Sequence, residues 1–143
     1  MNELDHIAVV KAAYAAFQQG DVTALLEQLT PDIKWFAIGP PHIIPTAGTR
    51  YGRNQVAQYL SILSASEEIK SFQVEEFIAE GNRVVAIGTS KIRLRDTATI
   101  LETPWVHIFN FHKGRISEFR SFYDSAASVE ARLNVQVMAA TLS

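Results

Sequence analysis

The chain has 143 residues, 48% of them hydrophobic and 20% charged, with 13 basic against 15 acidic side chains and no cysteine. This length and balance fit one globular domain able to bury about two thirds of its unfolded surface, and they exclude the low-hydrophobicity, high-charge profile of disorder. A net charge of -2 without a local Lys/Arg cluster excludes a phosphate-gathering field and so nucleic acid as a partner; the lack of cysteine excludes disulfides, thiolate nucleophiles and cysteine-based zinc sites.

Met1 to His6 carry neither the basic region nor the apolar run of a signal peptide, and no segment approaches the ~18 apolar residues of a membrane span. A soluble, cytoplasmic protein with no membrane partner is expected. From Leu4 to Phe17, apolar Leu4, Ile7, Val10, Tyr14 and Phe17 recur at spacings of three and four, which predicts a helix ended by Gly20. Asp21 is a good N-cap for a short second helix through Leu29, with Val22, Leu25, Leu26 and Leu29 inward, closed by Thr30-Pro31-Asp32. Ile33 to Ile38 reads as a strand.

Gly39 to Gly48 is too rich in Pro and Gly for a regular element, yet Ile43 and Ile44 are unusually apolar for a surface loop, so this segment is expected to cover a pocket mouth. A third helix after Tyr51-Gly52 carries Val56, Tyr59, Leu60 and Leu63 on one face and ends in an exposed polar stretch, Ser64 to Glu68. Four strands follow, over Phe72–Glu80, Arg83–Arg95, Ile100–His112 and Ile116–Tyr123, joined by turns at Gly81-Asn82, near Asp96 and at Lys113-Gly114. The tail from Ser125 to Leu142 returns to helical composition, with Val129, Leu133 and Met138 near helical spacing and Ser125 or Ser128 as its cap. Helices followed by an antiparallel meander give an α+β domain over residues 1–143, with a core about 4–124 and a helical tail 125–142. A strongly bent sheet on a helical layer leaves a cone whose mouth is the default ligand site.

Several segments taken in order carry a resemblance. They are Phe17-Gln18-Gln19-Gly20-Asp21, Pro31-Asp32-Ile33-Lys34-Trp35, Pro45 to Gly52, Glu80-Gly81-Asn82-Arg83-Val84-Val85, Trp105 to Phe109, and Lys113-Gly114-Arg115-Ile116 with Phe119 to Asp124. Over about residues 7 to 124 the chain resembles the SnoaL-like branch of the nuclear transport factor 2-like superfamily, which also holds ketosteroid isomerase and limonene epoxide hydrolase. The resemblance implies a cone-shaped, strongly curved antiparallel sheet on three N-terminal helices, a homodimer, and a pocket on the concave face. It does not fix a reaction, since the fold serves isomerases, polyketide cyclases, epoxide hydrolases, dehydratases and non-catalytic binding domains.

Ketosteroid isomerase sets a carboxylate base in the first strand, with a Tyr and a protonated Asp polarising the carbonyl. The resemblance puts Ala37 at the base position, and Ala moves no proton, so no appreciable ketosteroid isomerase activity is expected. It puts His107 at the polarising acid's position. Strand alternation sets Trp105, His107, Phe109 and Phe111 on one face, where desolvation favours neutral imidazole; His107 is then either a general base or donor, or a core histidine bonded to a buried group. The isomerase's helical Tyr falls on Ala13, one residue from Tyr14, which makes Tyr14 a candidate polariser or an ordinary core residue. Asp124 stands where polyketide cyclases of this family carry an acidic residue, or caps the following helix. The expected ligand wall is Phe17, Trp35, Ala37, Ile44, Tyr59, Trp105, Phe109 and Tyr123.

His6, His42, His107 and His112 show no ligand-pair spacing, so no metal is expected, and neither a Gly-rich phosphate loop nor a Gly-x-Ser-x-Gly elbow is present. No cofactor is expected. Parity leaves the facing of Arg50 and Arg120 open. Val106 and Ile108, opposite in parity to His107, are also apolar, which predicts a homodimer through the outer sheet face. Two readings stand: a cofactor-free acid/base enzyme (isomerase, cyclase or dehydratase-like) acting on a hydrophobic carbonyl or cyclic compound, and a non-catalytic module holding the same hydrophobic small molecule.

Overall fold

Asn2 starts the first helix with a capping box, its side chain accepting from the Asp5 N–H at 2.9 Å while the Asp5 carboxylate accepts from the Asn2 N–H at 3.1 Å. The computed structural model describes the backbone of residues 1–142 and the side chains of residues 1–133. Helix α1 spans Glu3–Gln18 and stops where Gly20 takes φ +70, a conformation that costs glycine little. Its inward face is His6, Val10, Ala13 and Ala16, whereas Leu4, expected inside, is 77% exposed. Helix α2 (Val22–Glu27) is capped by Asp21, whose carboxylate accepts from the Ala24 N–H at 3.0 Å.

The second helix ends two residues before the expected Leu29, and Thr30-Pro31-Asp32 belongs to strand β1 (Leu29–Ala37) instead of a closing turn. The reason lies in the pairing: β1 runs parallel to the last strand with a register shift between Leu29 and Lys34, and the irregular stretch accommodates a Pro31 that has no N–H to give. Strand β2 (Gly48–Tyr51) was hidden by its Pro/Gly-rich lead-in; it pairs antiparallel with β1, Arg50 opposite Trp35. Helix α3 covers Gly52–Ser66 and passes directly into β3 (Glu67–Glu80), followed by β4 (Arg83–Leu94), β5 (Ile100–His112), β6 (Arg115–Tyr123) and α4 (Ser125–Leu142). Lys113 (φ 49) and Gly114 (φ 82) make the tight β5–β6 turn with both central residues left-handed.

One six-stranded sheet results, in the order β2-β1-β6-β5-β4-β3. The meander β3 to β6 is antiparallel as expected, while β1 against β6 makes the sheet mixed. Register shifts at Ile69/Ser71 and Val74/Glu76 in β3 and at Asn110/Phe111 in β5 add local bend. Trp35, Trp105, Phe109, Phe111 and Phe119 bury into one core with Val10, Ala13, Leu25 and Val56 from the helices. The other sheet face carries Phe36, Val85, Ile87, Val106, Ile108 and Phe122, all half-buried.

The cap of α4 is neither Ser125 nor Ser128 but Asp124, whose carboxylate accepts from the Ala127 N–H at 3.0 Å. Met138 lies outside the described side chains. Among the described residues, no helix is long and apolar enough to cross a membrane.

Candidate functional site

Between the concave sheet face and α1 and α3 lies a cavity of about 150 Å³. Side chains two apart on a strand share a face, so β5 aims Trp105, His107 and Phe109 into it, and β6 aims Phe119, Ser121 and Tyr123 from the neighbouring strand. Trp105 stacks on His107 with centroids 4.0 Å apart and planes at 17°, and Trp35 stacks on Phe119 at 4.0 Å. Gly88 makes the first stack possible: it lies opposite Trp105, and a Cβ there would collide with the Trp105 ring and the Gln73 carbonyl.

Within this aromatic wall, Tyr14 Oη and His107 Nδ1 are 2.8 Å apart. Burial drives the His107 pKa down to about 3 and pushes the Tyr14 phenol up, so both groups are uncharged at neutral pH. Two arrangements satisfy the bond. Either the phenol donates to Nδ1 and Nε2 carries the proton, or Nδ1–H donates to the phenol oxygen and leaves the phenol hydrogen free. Both present one donor and one acceptor to the cavity, and among the described residues Nε2 has no hydrogen-bond partner.

A second polar group was not legible in the sequence. Glu67, expected at an exposed helix end, starts β3 and turns inward with a side chain only 10% exposed, its Oε1 3.3 Å from Nη2 of Arg132 on α4. Burial pushes its carboxyl up in pKa while Arg132 opposes the shift. Tyr59 and Tyr123 are raised in turn, by burial first and by Glu67 second. No local pattern signals this pair, because its members stand 65 residues apart.

The expected wall residues Phe17, Trp35, Ala37, Tyr59, Trp105, Phe109 and Tyr123 line the cavity together with Tyr14 and His107. Ile44 is fully buried but not part of the lining; it packs beside Gly39 in its own loop, from which Thr46 reaches the cavity. Asp124 stands outside the lining, exposed, as the α4 cap. Arg50 is not part of the lining; it donates to the Thr46 and Pro45 carbonyls at 2.7 and 3.2 Å with its guanidinium 5.0 Å over the ring of Tyr59, which does line the cavity. Arg120, opposite Phe36 and Ile108, is on the outer face near Glu118. Among the described residues, no three His, Asp or Glu side chains converge as metal ligands.

The SnoaL-like domain family matches residues 10–119. No curated protein matches the chain. Among solved structures, a nuclear transport factor 2-like protein of Burkholderia xenovorans LB400 is 31% identical, with 92% of this chain and 98% of that chain covered and a TM-score of 0.85. A nuclear transport factor 2-like protein of Burkholderia pseudomallei K96243 is 24% identical over 92% and 98% of the two chains, with a TM-score of 0.83. TerC, co-crystallised with polyporic acid, is 25% identical over 88% and 96%, with a TM-score of 0.79.

Proposed function

The chain belongs to the SnoaL-like domain family, and from that premise we propose that it takes up a hydrophobic carbonyl or cyclic compound and performs cofactor-free acid/base chemistry on it, of the isomerase, cyclase or dehydratase kind. The supporting observation is the 2.8 Å Tyr14–His107 bond inside an aromatic cavity. With Nδ1–H donating to the phenol, the Tyr14 hydroxyl donates to the substrate oxygen while Nε2 accepts a proton from the adjacent carbon. The C–H electron pair becomes the enolate's double bond, and the charges on imidazolium and enolate offset each other. Phe17, Trp35, Tyr59, Trp105, Phe109 and Tyr123 hold the ring body, and Asp124 has no part in this scheme. The co-crystal of TerC with polyporic acid supports a ligand pocket here.

A second reading, a binding module without turnover, is favoured by two observations. Ala37 supplies no carboxylate at the cavity wall, and an imidazole with its pKa near 3 is a weak base. Incubation with 1-tetralone in D₂O, followed by proton NMR of its α-carbon, tests both. Deuterium uptake lost in His107→Ala and Tyr14→Phe supports the enzyme; binding without uptake supports the module; no binding refutes both.

The partner in this proposal is a second copy of the chain. The apolar outer face around Val106 and Ile108, with Phe36, Val85, Ile87 and Phe122, supports a homodimer.

A further inference from the structure

We infer that Glu67 is a ligand-contacting residue at the outer end of the cavity, accepting a hydrogen bond from a hydroxyl group on a ring compound whose carbonyl lies at Tyr14 and His107. This rests on the reading of the cavity above and narrows its ligand to one carrying polar oxygens at both ends.

The geometry of the ion pair is the first reason. A carboxylate buried solely to pair with arginine gains most from two parallel bonds, yet here one oxygen meets one nitrogen, at a long 3.3 Å. Among the described residues, Oε2 has no hydrogen-bond partner, and it is not one of the fully buried side-chain atoms left unpaired, so it remains an accessible acceptor on a side chain that lines the cavity. Arg132 meanwhile is held by its own helix, donating from Nε to Ser128 Oγ at 3.3 Å.

Position is the second reason. A further cavity of about 290 Å³ opens beside the first, between the α1–α2 turn, α3 and the start of β3, and Glu67 lines both. Phe17, Leu25, Leu60, Leu63 and Ile69 are shared as well, so Glu67 belongs to the boundary between the two spaces. His107 lies opposite Ser121, and Trp105 lies opposite Tyr123, which feels the Glu67 charge. Glu67 thus belongs to the Tyr123 end of the cavity wall and the Tyr14–His107 pair to the Ser121 end, so a ligand reaching both carries its polar oxygens on opposite sides of a ring body.

Charge selects the group. Arg132 beside Glu67 disfavours an ammonium and Glu67 disfavours a carboxylate, which leaves a neutral donor, a phenolic or enolic hydroxyl.

Calorimetric titration with 6-hydroxy-1-tetralone and with 1-tetralone tests this. The wild type should prefer the hydroxylated compound by about tenfold or more, tenfold being the low end for one hydrogen bond to a charged group. The preference should shrink in Glu67→Gln and vanish in the double variant Glu67→Leu/Arg132→Leu, which leaves no unpaired charge. Equal affinities in the wild type, or a preference surviving in the double variant, overturn the assignment while the cavity reading stands. Failure of both compounds to bind the wild type refutes that reading and this assignment with it.

Discussion

His107 gives the sharpest quantitative expectation. Its pKa falls from 6.5 to about 3 on burial, so below pH 6.5 the unfolded chain takes up a proton that the folded chain refuses. The folded pKa is the lower one for a base, so this stability penalty is absent above 6.5 and grows as pH falls toward 3. At 1.36 kcal/mol per unit, the loss is about 2 kcal/mol at pH 5 relative to pH 7.5. Glu67, whose carboxyl is raised, contributes with the opposite sign, but it is present in wild type and variant alike. Denaturant unfolding of the wild type and His107→Gln at pH 7.5 and pH 5 isolates the histidine: the wild type should lose about 2 kcal/mol more than the variant over that interval. Equal losses would show that folded His107 accepts a proton in this range, and the neutral-imidazole argument would fall with that result.

Three further expectations concern neighbouring features. Gly88→Ala forces the Trp105 ring off His107 and should destabilise the protein by about 1–3 kcal/mol while shifting tryptophan fluorescence, both measurable in one thermal melt. Asp124→Ala removes the α4 cap and should cost about 1 kcal/mol in denaturant unfolding without altering 1-tetralone affinity. Light scattering should give a mass about twice 15.9 kDa, returning to the single value in Ile108→Glu; a monomeric wild type would remove the dimer.

Much of the fold was written locally. The spacing of Val10, Tyr14 and Phe17, the cap at Asp21, the alternation of Trp105, His107, Phe109 and Phe111, and the Lys113-Gly114 turn each act within a few residues, so period and turn chemistry reveal α1, α2 and the meander. The site's walls were legible for the same reason, because parity along β5 and β6 decides which side chains share a face. What lay beyond one element was not legible. Strand β2 exists because β1 offers it an edge, β1 starts early because β6 gives it a parallel partner, and Leu4 is exposed because no described element docks over it. The sequence alone determined that His107 would sit among aromatics. Only the tertiary structure brought Tyr14 to its Nδ1 across 93 residues and Glu67 to Arg132 across 65. Hydrogen bonds and ion pairs between distant segments leave no period in the chain, and burial, which sets the charge state of each group, exists only once the segments have closed around it.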